Sequence, residues 1–124
     1  MDQTQKNPRP GTQIKKAQLL EKISAYVDRN LTEKITLQMI AAHCSVSIST
    51  VTQLFQKVLH TTFHSYVTQR RMVAAEDLIR CGVPLEEVGR KVGFQDHSSF
   101  YRAFRQSFGM SPREYRRQKK QSEP

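Results

Sequence analysis

From Ser98 to Phe108 the groups able to hydrogen-bond fall on one side of a helix and the apolar groups on the other. At helical period Phe100, Ala103, Phe104 and Phe108 share a face, while Ser98, Tyr101, Arg102 and Arg105 share the opposite one. The polar face holds two guanidinium forks and no acid. A planar fork of donors at Arg102 suits guanine O6 and N7; a phosphate or open solvent would also satisfy it. Ser98 and Ser99 are either base readers or first-turn helix caps, and His97 is either a reader or a polar surface group. Tyr101 and Arg105 are placed to hold phosphates, as is Arg113 further on.

A second stretch, Ser47 to Leu59, has the same make-up. Ser49, Thr50, Thr52, Gln53, Gln56 and Lys57 face away from Val51, Leu54, Phe55 and Val58. Ser49, Thr52 and Gln53 are candidate base readers, with Gln53 able to pair with adenine N6 and N7. Thr50 and Lys57 are candidate phosphate contacts.

Such groups read a polymer only if helices hold them. Asp96 is a natural N-cap and Gly109 a C-terminal stop for the 98–108 helix. A short helix from Pro84 to Val92 precedes it across the tight Gly93-Phe94-Gln95 turn. Pro84 opens that helix, where a missing N–H costs nothing. The pair reads as a helix-turn-helix whose second helix fits a DNA groove. Upstream, Thr36 caps a helix from Leu37 to His43, Cys44-Ser45-Val46 turns, and Ser47 caps a helix from Ile48 to about Leu59. A first amphipathic helix spans about Ile14 to Asn30, with Leu19, Leu20, Ile23, Tyr26 and Val27 at helical spacing and Leu31 following. A long helix from Thr62 to Arg80 carries Phe63, Tyr66, Val67, Val73, Ala74, Leu78 and Ile79, and Gly82 ends it. Ser111-Pro112-Arg113-Glu114 is a capping box that starts a last helix running to about Gln118. Nothing reads as a strand. The expected fold is all-α, about seven helices, with two helix-turn-helix subdomains joined by a long central helix.

The two units are copies. At an offset of 48 residues Leu37 meets Leu85, Ile40 meets Val88, Ala41 meets Gly89 and Val46 meets Phe94. One residue is then inserted and the offset becomes 49: Ser47 meets Asp96, Phe55 meets Phe104 and Tyr66 meets Tyr115. The small Ala41 and Gly89 let paired helices approach at the turn. The division expected is a flexible tail or linker over 1–12, a first subdomain over 13–60, a linker helix over 61–82, a second subdomain over 83–118, and a basic disordered tail over 119–124.

The chain resembles the DNA-binding domain of AraC/XylS-type transcription regulators. The resemblance covers about Leu19 to Arg117 and is most specific in Leu85 to Phe94, Phe100, Phe104, Phe108-Gly109 and Ser111 to Arg116. Arg71-Met72 and Ala75 to Leu78 look like the family's linker helix. Gly89 stands where many members carry Ala, a change that weakens a helix by up to ~1 kcal/mol. The resemblance implies that the two units read successive major-groove segments on one face of double-stranded DNA. It also implies binding as a monomer unless another domain dimerises the protein, and activation through contact with RNA polymerase. Most such proteins carry a sensing or dimerising domain ahead of the reading domain, and small single-domain members also exist.

Charge agrees with a polyanionic partner. Lys plus Arg is 20 against 11 Asp plus Glu, a net charge of +9. Between Val88 and Lys120 nine bases face only Asp96 and Glu114, leaving +7. Charge alone does not separate DNA from RNA or an anionic membrane. No apolar run approaches a membrane span and no signal peptide is evident, so the expected location is the cytoplasm, associated with the nucleoid. Cys44 and Cys81 are isolated and are expected to be reduced and semi-buried. His60 and His64 stand four apart as a metal pair would on one helical surface, but no third ligand is evident, so neither metal nor cofactor is expected. One competing class is a DNA-repair methyl acceptor, and the Pro-Cys-His-Arg setting of its reactive cysteine is absent here. Another is a nonspecific architectural or RNA-binding protein.

Overall fold

The computed structural model describes residues 8–122, with side chains described over 16–119. Helices α1 (Pro8–Arg29), α2 (Leu37–Cys44), α3 (Ile48–Leu54), α4 (Phe63–Arg80), α5 (Leu85–Lys91), α6 (His97–Phe108) and α7 (Pro112–Ser122) follow in order, and a π-helical turn, Phe55–Leu59, continues α3. No strand occurs among the described residues. The chain divides into two compact units: α1 with residues 35–63, and residues 30–34 with everything from His64 onward.

Four boundaries differ from the sequence expectation. α1 begins at Pro8 rather than near Ile14, because Pro8 and Pro10 fall in a first helical turn that needs no N–H. Residues 1–7 of the expected tail lie outside the described residues, and 8–12 belong to α1. α7 runs on to Ser122, because the Gln and Lys residues after Arg117 favour helix and no Gly or Pro interrupts them. Of the expected basic tail, 123–124 lie outside the described residues. Pro84 is the N-cap of α5, with ψ 133 outside the helical range, and Leu85 is the first helical residue.

The fourth difference is the π-turn. The His60 N–H bonds back to the Phe55 carbonyl, and Thr61 N–H reaches the same oxygen at 3.1 Å. The wider turn carries Val58 off the buried face: Phe55 is buried, while Val58, expected inward, is 43% exposed. His60 closes the turn with φ 54 and α4 starts only at Phe63. His60 and His64 therefore do not share a helical surface.

The repeat holds down to single hydrogen bonds. At the first turn Ser45 N–H donates to Ala42 O (3.2 Å) and Val46 N–H to Ala41 O (3.0 Å). At the second, Gly93 N–H donates to Arg90 O (3.1 Å) and Phe94 N–H to Gly89 O (2.9 Å). Both are left-handed helix stops of the same design, with φ 58 at Ser45 and 110 at Gly93. The caps repeat too. The Ser47 hydroxyl accepts from Thr50 N–H (3.0 Å), and the Asp96 carboxylate from Ser99 N–H (2.7 Å). Helices α4 and α7 begin at equivalent positions, Phe63 and Pro112.

Within the first unit, Ile23 and Val27 of α1, Ile40, Ala41 and Cys44 of α2, Val51 and Leu54 of α3, and Phe55 are buried. Cys81, expected to be semi-buried like Cys44, is exposed, because it follows the last residue of α4 at the surface turn. In the second unit Met72, Ala75 and Ile79 of α4 enclose Val88, Val92, Phe100, Phe104 and Tyr115 in one core. The aromatic rings run from Phe94 to Phe100 (5.7 Å), to Phe104 (5.8 Å), to Phe108 (4.4 Å).

Gly89 acquires a reason here. A Cβ on it would lie 2.8 Å from Phe100 Cγ and 2.9 Å from Phe100 Cβ. The first unit has Ala41 and Val51 at the equivalent positions, and the second has Gly89 and Phe100: the helix residue shrinks where its opposite number grows. Overpacking costs about 1–3 kcal/mol, more than the helix-propensity gain of up to ~1 kcal/mol. Gly89→Ala should therefore destabilise the second unit in urea unfolding. In a Phe100→Val background the same change should stabilise it. A Gly89→Ala protein that is more stable with Phe100 intact would show that the contact does not govern this site.

Candidate nucleic-acid interface

The caps that start α3 and α6 also aim them. Ser47 and Asp96 hold extended backbone, so each chain turns abruptly into its helix with the first-turn side chains outward. The Ser99 backbone N–H and hydroxyl hold the Asp96 carboxyl below the usual carboxylate range, and the Ser111 N–H and hydroxyl do the same for Glu114. The two acids of the basic C-terminal stretch are thus both engaged as helix caps.

On α3, Ser49, Thr50 and Gln53 are exposed, and Lys57 is exposed in the π-turn. Thr52 is half-buried and lines an apolar pocket with Leu37, Phe55 and Phe63. On α6, His97, Ser98, Tyr101, Arg102 and Arg105 are exposed, over a fully buried Phe100 and Phe104. The His97 and Tyr101 rings stand 6.0 Å apart on that face. Arg113 is exposed in the first turn of α7. Ser99 is half-buried, and its hydroxyl donates to Asp96 (3.1 Å). Thr50, the equivalent residue, shares a hydroxyl hydrogen bond with Ser47 (2.9 Å). Both hydroxyls are tied to a cap rather than turned freely outward.

Two arginines have structural partners that the sequence did not disclose. Arg116, one of the nine bases of the basic stretch, donates to Ile79 O (3.1 Å) and to Val83 O, closing the C-terminal end of α4. Arg71 donates to Leu31 O (3.0 Å) and Glu33 O (3.1 Å). No local spacing marks either residue, since the acceptors are backbone carbonyls more than thirty residues away. Arg90, Lys91, Arg117 and Lys119 stay exposed. Among the described residues no group of three or more His, Cys, Asp or Glu gathers as metal ligands, and no helix is long and apolar enough to cross a membrane.

Each unit thus presents one capped helix, polar outside and apolar inside, behind a preceding helix and a left-handed turn. The family described as a helix-turn-helix domain matches residues 40–118. The regulatory protein PocR of Salmonella typhimurium is 30% identical over 100 residues, 80% of this chain and 33% of that protein. The uncharacterised HTH-type transcriptional regulator YdiP of Escherichia coli is 34% identical over 106 residues, 85% of this chain and 35% of that protein. The chain spans about a third of the length of these relatives. An AraC-type transcriptional regulator from Chromobacterium violaceum superposes with a TM-score of 0.80 at 25% identity, covering 93% of this chain and 100% of that one. The DNA-binding domain of AdpA, solved with a target DNA, has a TM-score of 0.70 at 24% identity, covering 79% and 88%. The helix-turn-helix family match over residues 40–118, together with these relatives, places the chain in the AraC-type helix-turn-helix family of transcription regulators.

Proposed function

We propose that this chain binds double-stranded DNA in a sequence-specific manner and regulates transcription, with α3 and α6 each entering one of two successive major-groove segments. The observation that carries this reading is the repeat: two helices with the same cap, the same preceding turn and the same outward polar face. The AdpA domain, which shares the fold, was solved on DNA. Ser49, Thr52 and Gln53 read bases from α3, and His97, Ser98, Ser99 and Arg102 from α6. Ser99 and Thr52 read through what their partly buried positions leave open, Ser99 as an acceptor. Thr50, Lys57, Tyr101, Arg105 and Arg113 hold phosphates. A monomer suffices for both segments, ~34 Å apart along the duplex. Contact with RNA polymerase would make the protein an activator associated with the nucleoid.

Selection from a random duplex pool tests this directly. The enriched site should span about two turns and contain two unlike halves, because equivalent outward positions carry different side chains, Gln53 on α3 and Arg102 on α6. Arg102→Ala should cost about 1–3 kcal/mol on the best site and relax preference at one or two base pairs. A pool that yields no motif would leave a nonspecific binder. An affinity loss equal across all sequences would make Arg102 a phosphate contact.

A further inference from the structure

Beside the first left-handed turn lies a cavity of about 480 Å³ whose walls all belong to the first unit. Helix α1 supplies Lys16, Leu19 and Lys22, the end of α2 and the turn supply Cys44 and Val46, and α3 supplies Thr50. Leu19 and Val46 are only half-buried, so apolar surface stands open to water there. Cys44 is buried, and burial raises its thiol pKa against the opposing pull of Lys22, so this part of the wall is a neutral thiol. Both lysines are exposed, and among the described residues no carboxylate lines the cavity. The volume lies in the range of small-molecule sites. The second unit fills the equivalent place. At an offset of 52 residues the buried pair Ile23 and Val27 meets the buried pair Ala75 and Ile79, and Leu19 meets Arg71. Val46 meets Phe94. Arg71 lies over the Phe94 ring, 5.8 Å from its centroid, and donates to Leu31 O at 3.0 Å. A Cβ on Gly93 would run into that carbonyl and that guanidinium. A large ring, a planar cation and a carbonyl oxygen thus occupy the second site, where the first has the smaller Leu19 and Val46 and open space.

We propose that this cavity binds a small organic anion with an apolar body, a carboxylate carried on an aliphatic chain or an aromatic ring. Lys16 and Lys22 supply the charge that holds the carboxylate. Leu19 and Val46, with the neutral thiol of Cys44, take the apolar body out of water. A DNA phosphate shares the negative charge and would also satisfy the ammoniums. A phosphodiester would leave Leu19 and Val46 uncovered, whereas an apolar chain ending in a carboxylate engages both kinds of wall. Thr50 sets such a ligand against the first turn of α3.

Octanoate is the probe, titrated into the protein while backbone amide chemical shifts are followed. The amides of Leu19, Lys22, Val46 and Thr50 should move and saturate with a Kd of about 0.1–1 mM. Phe94 and Ser99, at the equivalent places of the second unit, should stay still. Butanoate, with the same charge and a much shorter chain, should bind about tenfold more weakly or worse. Octan-1-ol, with the same chain and no charge, should lose about fivefold, as should octanoate on a Lys16→Met, Lys22→Met double variant. Val46→Phe gives the turn the residue that the second unit already carries there, and by filling the space it should weaken octanoate about tenfold. On duplex DNA the double lysine variant should keep the wild-type salt slope. A slope flattened by about two units assigns the lysines to phosphates and overturns the proposal. So do shifts that fail to saturate, butanoate binding as tightly as octanoate, or octanoate affinity that is unchanged in both the lysine variant and Val46→Phe.

Discussion

Raising salt from about 50 to about 200 mM should weaken binding to the selected site by roughly a thousandfold. Each phosphate neutralised by a cation releases a condensed counterion, and about six such contacts give that loss. The exposed bases available for such contacts are Lys57 in the first unit, and Arg90, Lys91, Arg105, Arg113, Arg117 and Lys119 in the second. The opposing acids Asp96 and Glu114 are held by their own helix ends. Lys57→Ala and Arg105→Ala should each flatten the salt slope by about one unit and weaken specific and nonspecific binding alike. Arg116→Ala is the informative contrast. Its guanidinium closes α4 through Ile79 and Val83 carbonyls, so its loss should lower stability and leave the slope in place. Titrations at four or five salt concentrations measure all three. Unchanged slopes in both Lys57→Ala and Arg105→Ala would remove those residues from the phosphate contacts.

Phe104→Ala should lower the stability of the second unit by about 3–5 kcal/mol. Phe104 is fully buried and meets Phe100 at 5.8 Å, Phe108 at 4.4 Å and Tyr115 edge-on at 5.5 Å. Its ring is the centre of the aromatic row, and helices α4, α5, α6 and α7 all supply side chains to the core around it. Domains are stable by only about 5–15 kcal/mol, so a loss of this size removes much of the margin. Urea unfolding should show a lower midpoint, and DNA binding through α6 should fail at temperatures where the first unit still holds. Tyr101→Ala, three residues earlier on the same helix but 37% exposed, should change stability by no more than about 0.5 kcal/mol and act on DNA affinity alone. A loss under about 1 kcal/mol for Phe104→Ala would mean that the surrounding helices collapse into the space.

The sequence by itself determined the helices, their caps, the two faces of α6 and the duplication. These are local quantities: periodicity acts within about four residues, and a cap reaches three. Ser47, Asp96 and the Ser111–Glu114 box could be read for that reason, and their hydrogen bonds are present as expected. The repeat told more than either copy, because two matching patterns in register constrain each other. What tertiary structure decided lies wherever a side chain answers to residues far along the chain. Gly89 reads as a weak point in a helix until Phe100 is seen against it. Arg116 reads as one more surface base until it closes α4, and Arg71 as part of a linker helix until it holds Leu31 and Glu33. Residues 30–34 read as a loop of the first unit and belong to the second. In each case the deciding partner is a backbone carbonyl or a ring brought near by the fold, and nothing in local spacing records where a distant carbonyl points.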